Sequence, residues 1–157
     1  MARHVEKKKL RVGMIGAGGI ACTHVEHYKK FEDVEIVGVC DVSEASLKKF
    51  NDKTGLSVPH FGDWKTLLKK TQPNAVSVCT PNGLHLQPTL DALSAGCHVL
   101  VEKPLAMNAA EGQKMINAAK KNRRRLVIAF QHRFDSRIKI LKKAIEDGFF
   151  GKILFVR

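Results

Sequence analysis

No apolar stretch in this sequence approaches the roughly 20 residues that a helix needs to cross a bilayer, so no membrane partner is expected. Acidic residues are also scarce: 15 Asp and Glu stand against 27 Lys and Arg, a formal charge of +12. Such an imbalance raises nucleic acid or an anionic surface as a partner. The motifs that accompany that role are missing. There is no zinc-finger spacing, no RNA-binding aromatic signature and no evident helix-turn-helix. The basic residues come instead in pairs along helical segments, Lys29-Lys30, Lys48-Lys49, Lys69-Lys70, Lys120-Lys121 and Lys142-Lys143. Several lie near expected helix C-termini, where they offset the dipole and remain solvated. Arg123-Arg124-Arg125, the densest patch, likewise follows a helix end. No nucleic-acid partner is expected.

Cysteine is sparse too. Cys22, Cys40, Cys79 and Cys97 form no C-x-x-C pair and sit in or beside apolar runs, which reads as small, buried, reduced thiols. Cys22, His24 and His27 do not make a metal cluster. On a helix His24 and His27 share a face, Cys22 lies well round from them, and no distant partner motif follows. Basic residues (Arg3, Lys7, Lys8, Lys9) precede an apolar segment ending Gly19-Ile20-Ala21-Cys22, which superficially resembles a secretory leader. Glycines at 13, 16, 18 and 19 make it a poor membrane-inserting helix, so a cytoplasmic location is expected. Internal repeats and low-complexity linkers are absent as well.

What is present is enough for one ordinary domain: 157 residues, 44% of them hydrophobic. Short β-rich runs alternate with helical periodicity, the pattern of a parallel sheet covered on both faces. Strands are expected at Leu10–Ile15, Glu35–Cys40, Val58–His60, Ala75–Cys79, His98–Val101 and Leu126–Phe130. Helices are expected at Ile20–Phe31, Glu44–Lys53, Trp64–Lys70, Leu86–Ala95 and Ala109–Lys121. Ser43, Asp63 and Asn108 suit N-caps, and Gly55 and Gly96 suit stops. Trp64, Leu67 and Leu68 form one core-facing stripe; Gly112, Met115, Ile116 and Ala119 form another. Six strands in this rhythm complete a doubly wound α/β sheet of the Rossmann type.

The last stretch behaves differently. Ser136–Asp147 reads as an amphipathic helix with Ile138, Leu141 and Ile145 on one side and Gly148 as its stop. Phe149-Phe150-Gly151 then leads to Lys152–Arg157, a strand with no successor. An apolar strand needs ladder partners, so the chain looks cut where a second α/β domain begins, and homo-oligomerisation through this strand is expected. The organisation is thus a basic arm (1–9), a dinucleotide-type domain (10–131), and a connecting helix with the first strand of a truncated substrate domain (132–157).

Chemistry-bearing residues cluster where strands end. Leu10–Ile15 feeds into Gly16-Ala17-Gly18-Gly19-Ile20-Ala21, a G-x-G-x-x-A turn, and the next apolar run ends at Asp41. In such a unit Gly16 permits the tight turn, Gly18 lets backbone approach a pyrophosphate, and small Ala21 lets helix pack on strand. The helix that opens at Gly19 and Ile20 offers unpaired N–H groups and partial positive charge to phosphate. Asp41 suits the two hydroxyls of an adenosine ribose. Val42 follows it rather than Arg or Lys, so NAD is favoured over NADP. Asp41 as a helix cap is compatible with the same position.

Two further turns share that edge. Thr80-Pro81-Asn82-Gly83 is a rigid turn whose backbone can lie along a cofactor, with His85 opening the next helix as a ligand or as a packing residue. Val101-Glu102-Lys103-Pro104 ends the fifth strand, with Pro104 suited to a cis bond. Burying an acid and a lysine there is costly unless they serve a ligand or each other. Lys103 is the candidate catalytic residue: it can hydrogen-bond a substrate hydroxyl and help take its proton as hydride leaves the carbon.

Taken together, Gly16–Ala21, Cys40-Asp41, Thr80-Pro81-Asn82 with His85, and Glu102-Lys103-Pro104 resemble the glucose–fructose oxidoreductase/inositol dehydrogenase (Gfo/Idh/MocA) family in order and spacing. Arg133-Phe134 and Gly148–Val156 also resemble its pattern, so the likeness runs from Leu10 onward. The resemblance implies a nicotinamide cofactor, hydride transfer with a sugar, polyol or related hydroxy compound, and cofactor contacts at Gly16, Gly18, Gly19, Ile20, Asp41, Thr80, Pro81, Asn82, His85, Glu102 and Lys103. It also implies a C-terminal domain with an Asp/His pair, to which nothing here corresponds, so little turnover is expected from this length. The alternative is a non-catalytic dinucleotide-binding or redox-sensing module.

Overall fold

Side-chain alternation along the strands decides the layers. The structure, a computed structural model, describes residues 8–155; most of the basic arm and the last two residues fall outside them. Its strands are β1 (Leu10–Ile15), β2 (Val34–Cys40), β3 (His60–Phe61), β4 (Ala75–Val78), β5 (His98–Val101) and β6 (Leu126–Ile128). Its helices are α1 (Gly19–Tyr28), α2 (Glu44–Thr54), α3 (Trp64–Thr71), α4 (Leu86–Ser94), α5 (Ala109–Lys121) and α6 (Ser136–Glu146). The sheet is parallel throughout in the order β3-β2-β1-β4-β5-β6, the doubly wound arrangement expected.

Val12 and Met14 of β1 face one way, into a core with Ala21 and Val25 of α1 and Leu47 and Phe50 of α2. Ile15, Val76, Val78, Val99 and Val101 face the other, against Leu67 and Leu68 of α3, Ala92 and Leu93 of α4 and Met115 and Ala119 of α5. A Cβ on Gly13 would lie 2.8 Å from Leu67 Cδ2, so the bare backbone of β1 is what admits α3 so closely. In the α5 stripe Gly112, Met115 and Ala119 are buried but Ile116 is exposed, because it sits at the edge of the arc the other three share.

Local chemistry sets most boundaries. Ser43 Oγ accepts from Ser46 N–H, Asp63 Oδ1 from Thr66 N–H and Asn108 Oδ1 from Glu111 N–H, as their capping roles require. Gly55 stops α2 at φ +62°. Helix α1 ends at Tyr28 rather than running to Phe31, because Lys30 and Phe31 N–H turn to His27 and Tyr28 carbonyls three residues back. Two short 3-10 turns, Asn82–Leu84 and Gln131–Phe134, fill positions expected to be irregular.

The C-terminal stretch departs from expectation. Helix α6 forms and stops at Gly148 (φ +75°), where Gly148 N–H reaches Ile145 O and Phe149 N–H reaches Ala144 O. It buries no residue: Ile138, Ile140, Leu141 and Ile145 are all exposed. Residues 151–155 form no strand, which corrects the expectation for Lys152–Arg157 over its described part. A strand is stable only with a ladder, and residues 151–155 pair with no described strand. Val156 and Arg157 lie outside the described residues.

The four cysteines are buried and free, as their apolar settings require. Burial pushes the Cys40 thiol up to about 12 and Cys97 up to about 11, and raises Cys79 further still. Native protein should therefore resist alkylation at these three positions and react at all of them once unfolded, as read by mass spectrometry. Because the folded thiols hold protons that the unfolded chain releases near its ordinary value of 9.0, stability should fall as pH rises above that value.

Candidate functional site

Gly16 is where the site begins, because the chain must leave β1 and turn at once across the end of β4. It does so at φ +96°, and a Cβ there would lie 2.7 Å from Cys79 O. Both facts require glycine. Ala17 follows in the core, and its N–H donates to Asp41 Oδ2 at 2.9 Å. Ser43 N–H donates to the other oxygen, Oδ1, also at 2.9 Å. Asp41 is therefore not the helix cap, a role Ser43 fills; it ties the tip of β2 to the glycine turn. An ionised carboxylate offers about four acceptor positions, so two remain for hydroxyl donors.

Gly18 and Gly19 come next, both exposed, with nothing within 4 Å of a Cβ built on either. The turn thus presents bare backbone to open space. Gly18 caps α1 without any side-chain hydrogen bond, whereas Ser43, Asp63, Asn108 and Asp135 each satisfy an N–H of their helices. The first N–H groups of α1, including those at Gly19 and Ile20, are left for solvent or an anion.

A cleft of about 690 Å³ runs over the carboxyl ends of β1, β2 and β4. Gly16, Gly18, Asp41, Thr80 and Pro81 line it, as the turn motifs predict. Val42, Trp64 and Leu84 line it too and were not among the expected cofactor contacts; Val42 is 91% exposed, an apolar side chain standing open beside Asp41. Asn82 is exposed on the 3-10 turn next to Pro81.

His85 is placed differently. Its side chain is fully buried, with Nδ1 2.8 Å from Pro104 O and Nε2 2.9 Å from Thr80 O. The ring therefore ties the β4 turn to the β5 turn and is not among the residues that line the cleft, which matches the packing alternative rather than the ligand one. At the tip of β5, Glu102 is buried and Lys103 exposed, and the Lys103–Pro104 bond is cis. The acid and the lysine are not buried as a pair. Glu102 Oε1 instead meets His24 Nε2 of α1 at 2.9 Å, a partner that sequence reading missed.

Residues 10–130 match the Gfo/Idh/MocA model described as "Oxidoreductase family, NAD-binding Rossmann fold". The chain belongs to this family. Among curated relatives, D-glucoside 3-dehydrogenase of Escherichia coli is 37% identical over 92% of the chain and 41% of its own length. Myo-inositol 2-dehydrogenase of Thermotoga maritima is 34% identical over 91% of the chain and 42% of its own length. The crystal structure of the WlbA dehydrogenase from Bordetella pertussis, in complex with NADH and UDP-GlcNAcA, superposes with a TM-score of 0.83 at 32% identity, covering 93% of this chain and 44% of that one. The chain thus spans about two-fifths of the length of the relatives it matches. Among the described residues no helix is long and apolar enough to cross a membrane.

The two glycines of the Gfo/Idh/MocA turn should separate in a stability measurement. Gly16→Ala meets both a left-handed φ and a backbone carbonyl, and should lower unfolding free energy by about 1–3 kcal/mol. Gly18→Ala meets neither, and its melting curve should stay close to that of the parent protein.

Proposed function

We propose that this chain is the coenzyme-binding domain of an NAD-dependent, cytoplasmic oxidoreductase that moves hydride between nicotinamide and a sugar, polyol or related hydroxy compound. The observation that carries this reading is the uncapped start of α1 behind bare glycine backbone, facing open space beside a carboxylate. Every feature of that arrangement suits a dinucleotide. The N–H groups at Gly18, Gly19 and Ile20 would hold the diphosphate, offering unpaired donors and the partial positive charge of the α1 start to its oxygens. Asp41 accepts the adenosine ribose hydroxyls on the lone pairs that Ala17 and Ser43 leave open. Thr80, Pro81 and Asn82 flank the coenzyme on the β4 side.

Bound nicotinamide supplies the hydride donor or acceptor. The residues of the chain provide position and proton handling. Lys103, exposed at the tip of β5, reaches a substrate hydroxyl and helps carry its proton as the carbon is oxidised. Glu102, buried beneath it, holds the strand tip in place. Orienting a sugar against that lysine takes further groups, since positioning supplies roughly 7–11 kcal/mol of a barrier. In this proposal those groups come from a substrate domain, and residues 132–157 with exposed α6 lead into it.

Trp64, the one tryptophan, lines the cleft with its indole N–H held by Asp91 Oδ2 at 2.8 Å, so its emission reports on occupancy. NADH should quench it, and NADPH should bind roughly tenfold or more weakly, because a 2′-phosphate meets the Asp41 carboxylate. Tighter binding of NADPH would overturn the ribose assignment. Gly18→Val places a branched side chain where the diphosphate lies and should nearly abolish NADH binding without unfolding the domain. Unchanged affinity by calorimetry would reject the placement.

A further inference from the structure

Ser77 is a hydroxyl in the middle of a core strand, fully buried between Val76 and Val78. Its Oγ lies 2.7 Å from Tyr28 OH and 3.2 Å from His24 Nδ1. His24 and Tyr28 are four residues apart on α1 and share one face of that helix. On its far side the His24 ring meets Glu102 Oε1 at 2.9 Å, with only 11% and 9% of the two side chains exposed. The other carboxylate oxygen, Oε2, accepts Lys103 N–H at 3.2 Å. A continuous hydrogen-bonded line therefore runs from α1, through β4, to the backbone of Lys103.

Donor and acceptor chemistry gives this line a direction. A carboxylate only accepts, so His24 Nε2 carries the proton of its bond to Glu102. With the ring neutral, Nδ1 accepts from the Ser77 hydroxyl, which in turn accepts from Tyr28. Burial raises the Tyr28 phenol above its ordinary value of 10.0, which keeps it a donor. Every hydrogen then points toward Glu102 and every buried polar atom in the line is satisfied. Cys79 Sγ lies 3.6 Å from the same Nδ1 and holds its own proton, because burial also raises its thiol.

We propose that His24, oriented by Ser77 and Tyr28, is a positioning residue for the nicotinamide end of the site: it holds the Glu102 carboxylate and, through it, the backbone that carries Lys103. The proposal rests on the coenzyme reading above. Helix α1 then has two jobs, since its first turn faces the diphosphate and its second turn sets the tip of β5. Without the His24 donor, a buried carboxylate loses its side-chain partner and swings toward solvent or the Lys103 ammonium, altering charge and geometry beside the ring.

The test compares NADH with ADP-ribose, which lacks the nicotinamide half, by calorimetry on the 157-residue chain. The parent protein should bind both. His24→Ala should weaken NADH about tenfold, the order of one charge-assisted hydrogen bond, and leave ADP-ribose unchanged. His24→Gln, whose amide N–H can point at Glu102, should recover most of the loss. Ser77→Ala, which removes only the support behind the ring, should give a smaller loss of the same kind and serves where His24→Ala does not fold. Equal losses for both ligands, or none for NADH, would overturn the positioning role while leaving the coenzyme reading intact. Failure of the parent chain to bind either ligand would overturn both.

Discussion

Gly16 stands where three strands' ends must meet. Its Cα lies so close to the Cys79 carbonyl that no side chain fits, and its left-handed φ turns the chain across the top of β4. Because the turn is that tight, α1 starts directly above the sheet edge, and its first N–H groups face outward with no side chain to satisfy them. Because α1 starts there, Ala17 N–H falls within reach of Asp41 at the end of the adjacent strand. Anion site and carboxylate are thus set by one backbone conformation. A relaxed turn of one more residue would dissolve both, and glycine is the residue that adopts this conformation without strain.

The second half of the site is held by side chains. His85 reaches from beneath to the carbonyls of Thr80 and Pro104, binding the β4 and β5 turns into one unit. His24 reaches from α1 to Glu102 in the same way. Neither ring is placed to touch a ligand in the cleft. Both convert the position of a well-packed helix into the position of a loop, and a loop braced so is a better platform for chemistry than one left to its own entropy. The fully buried Ser77 is the cost of that bracing, a polar atom in a core strand that is stable only while its partners are present.

Much of this was legible in the sequence because it is local. The strand–glycine–helix–strand–acid order groups Gly16, Gly18 and Asp41, which line one cleft, and the capping residues Ser43, Asp63 and Asn108 each mark a helix start by chemistry contained within three residues. What was not legible is long-range. His24, Ser77 and Glu102 are brought together from three elements, and no spacing announces it. The one available signal was Ser77 itself, since a hydroxyl inside the apolar run Ala75–Val78 must find a partner. The role of His85 stayed open between ligand and packing for a related reason: position at a helix start says nothing about which carbonyls the ring will meet. The absent strand at 151–155 shows the reverse case, in which apolar composition favours a strand but the segment pairs with no described strand.

The excess of positive charge takes on a different meaning once the opposite edge of the sheet is considered. There Arg11 donates through its guanidinium to the Thr71 and Gln72 carbonyls at the end of α3, at 2.6 Å and 3.1 Å, and its own N–H goes to Asn74 Oδ1. Arg124, from the densest basic run, donates to Gly96 O after the end of α4, and Arg125 N–H meets His98 Nδ1. These are helix C-termini, where unpaired carbonyls and the negative end of the dipole attract cations. The doubly wound topology gathers all such ends on one edge of the sheet and all helix N-termini on the other. Arg11 and Arg124 therefore serve closure of the fold, while the diphosphate end of the proposed coenzyme site is served by backbone N–H groups. A sheet of one polarity thus separates stability from ligand chemistry, and a count of lysines and arginines alone does not distinguish the two.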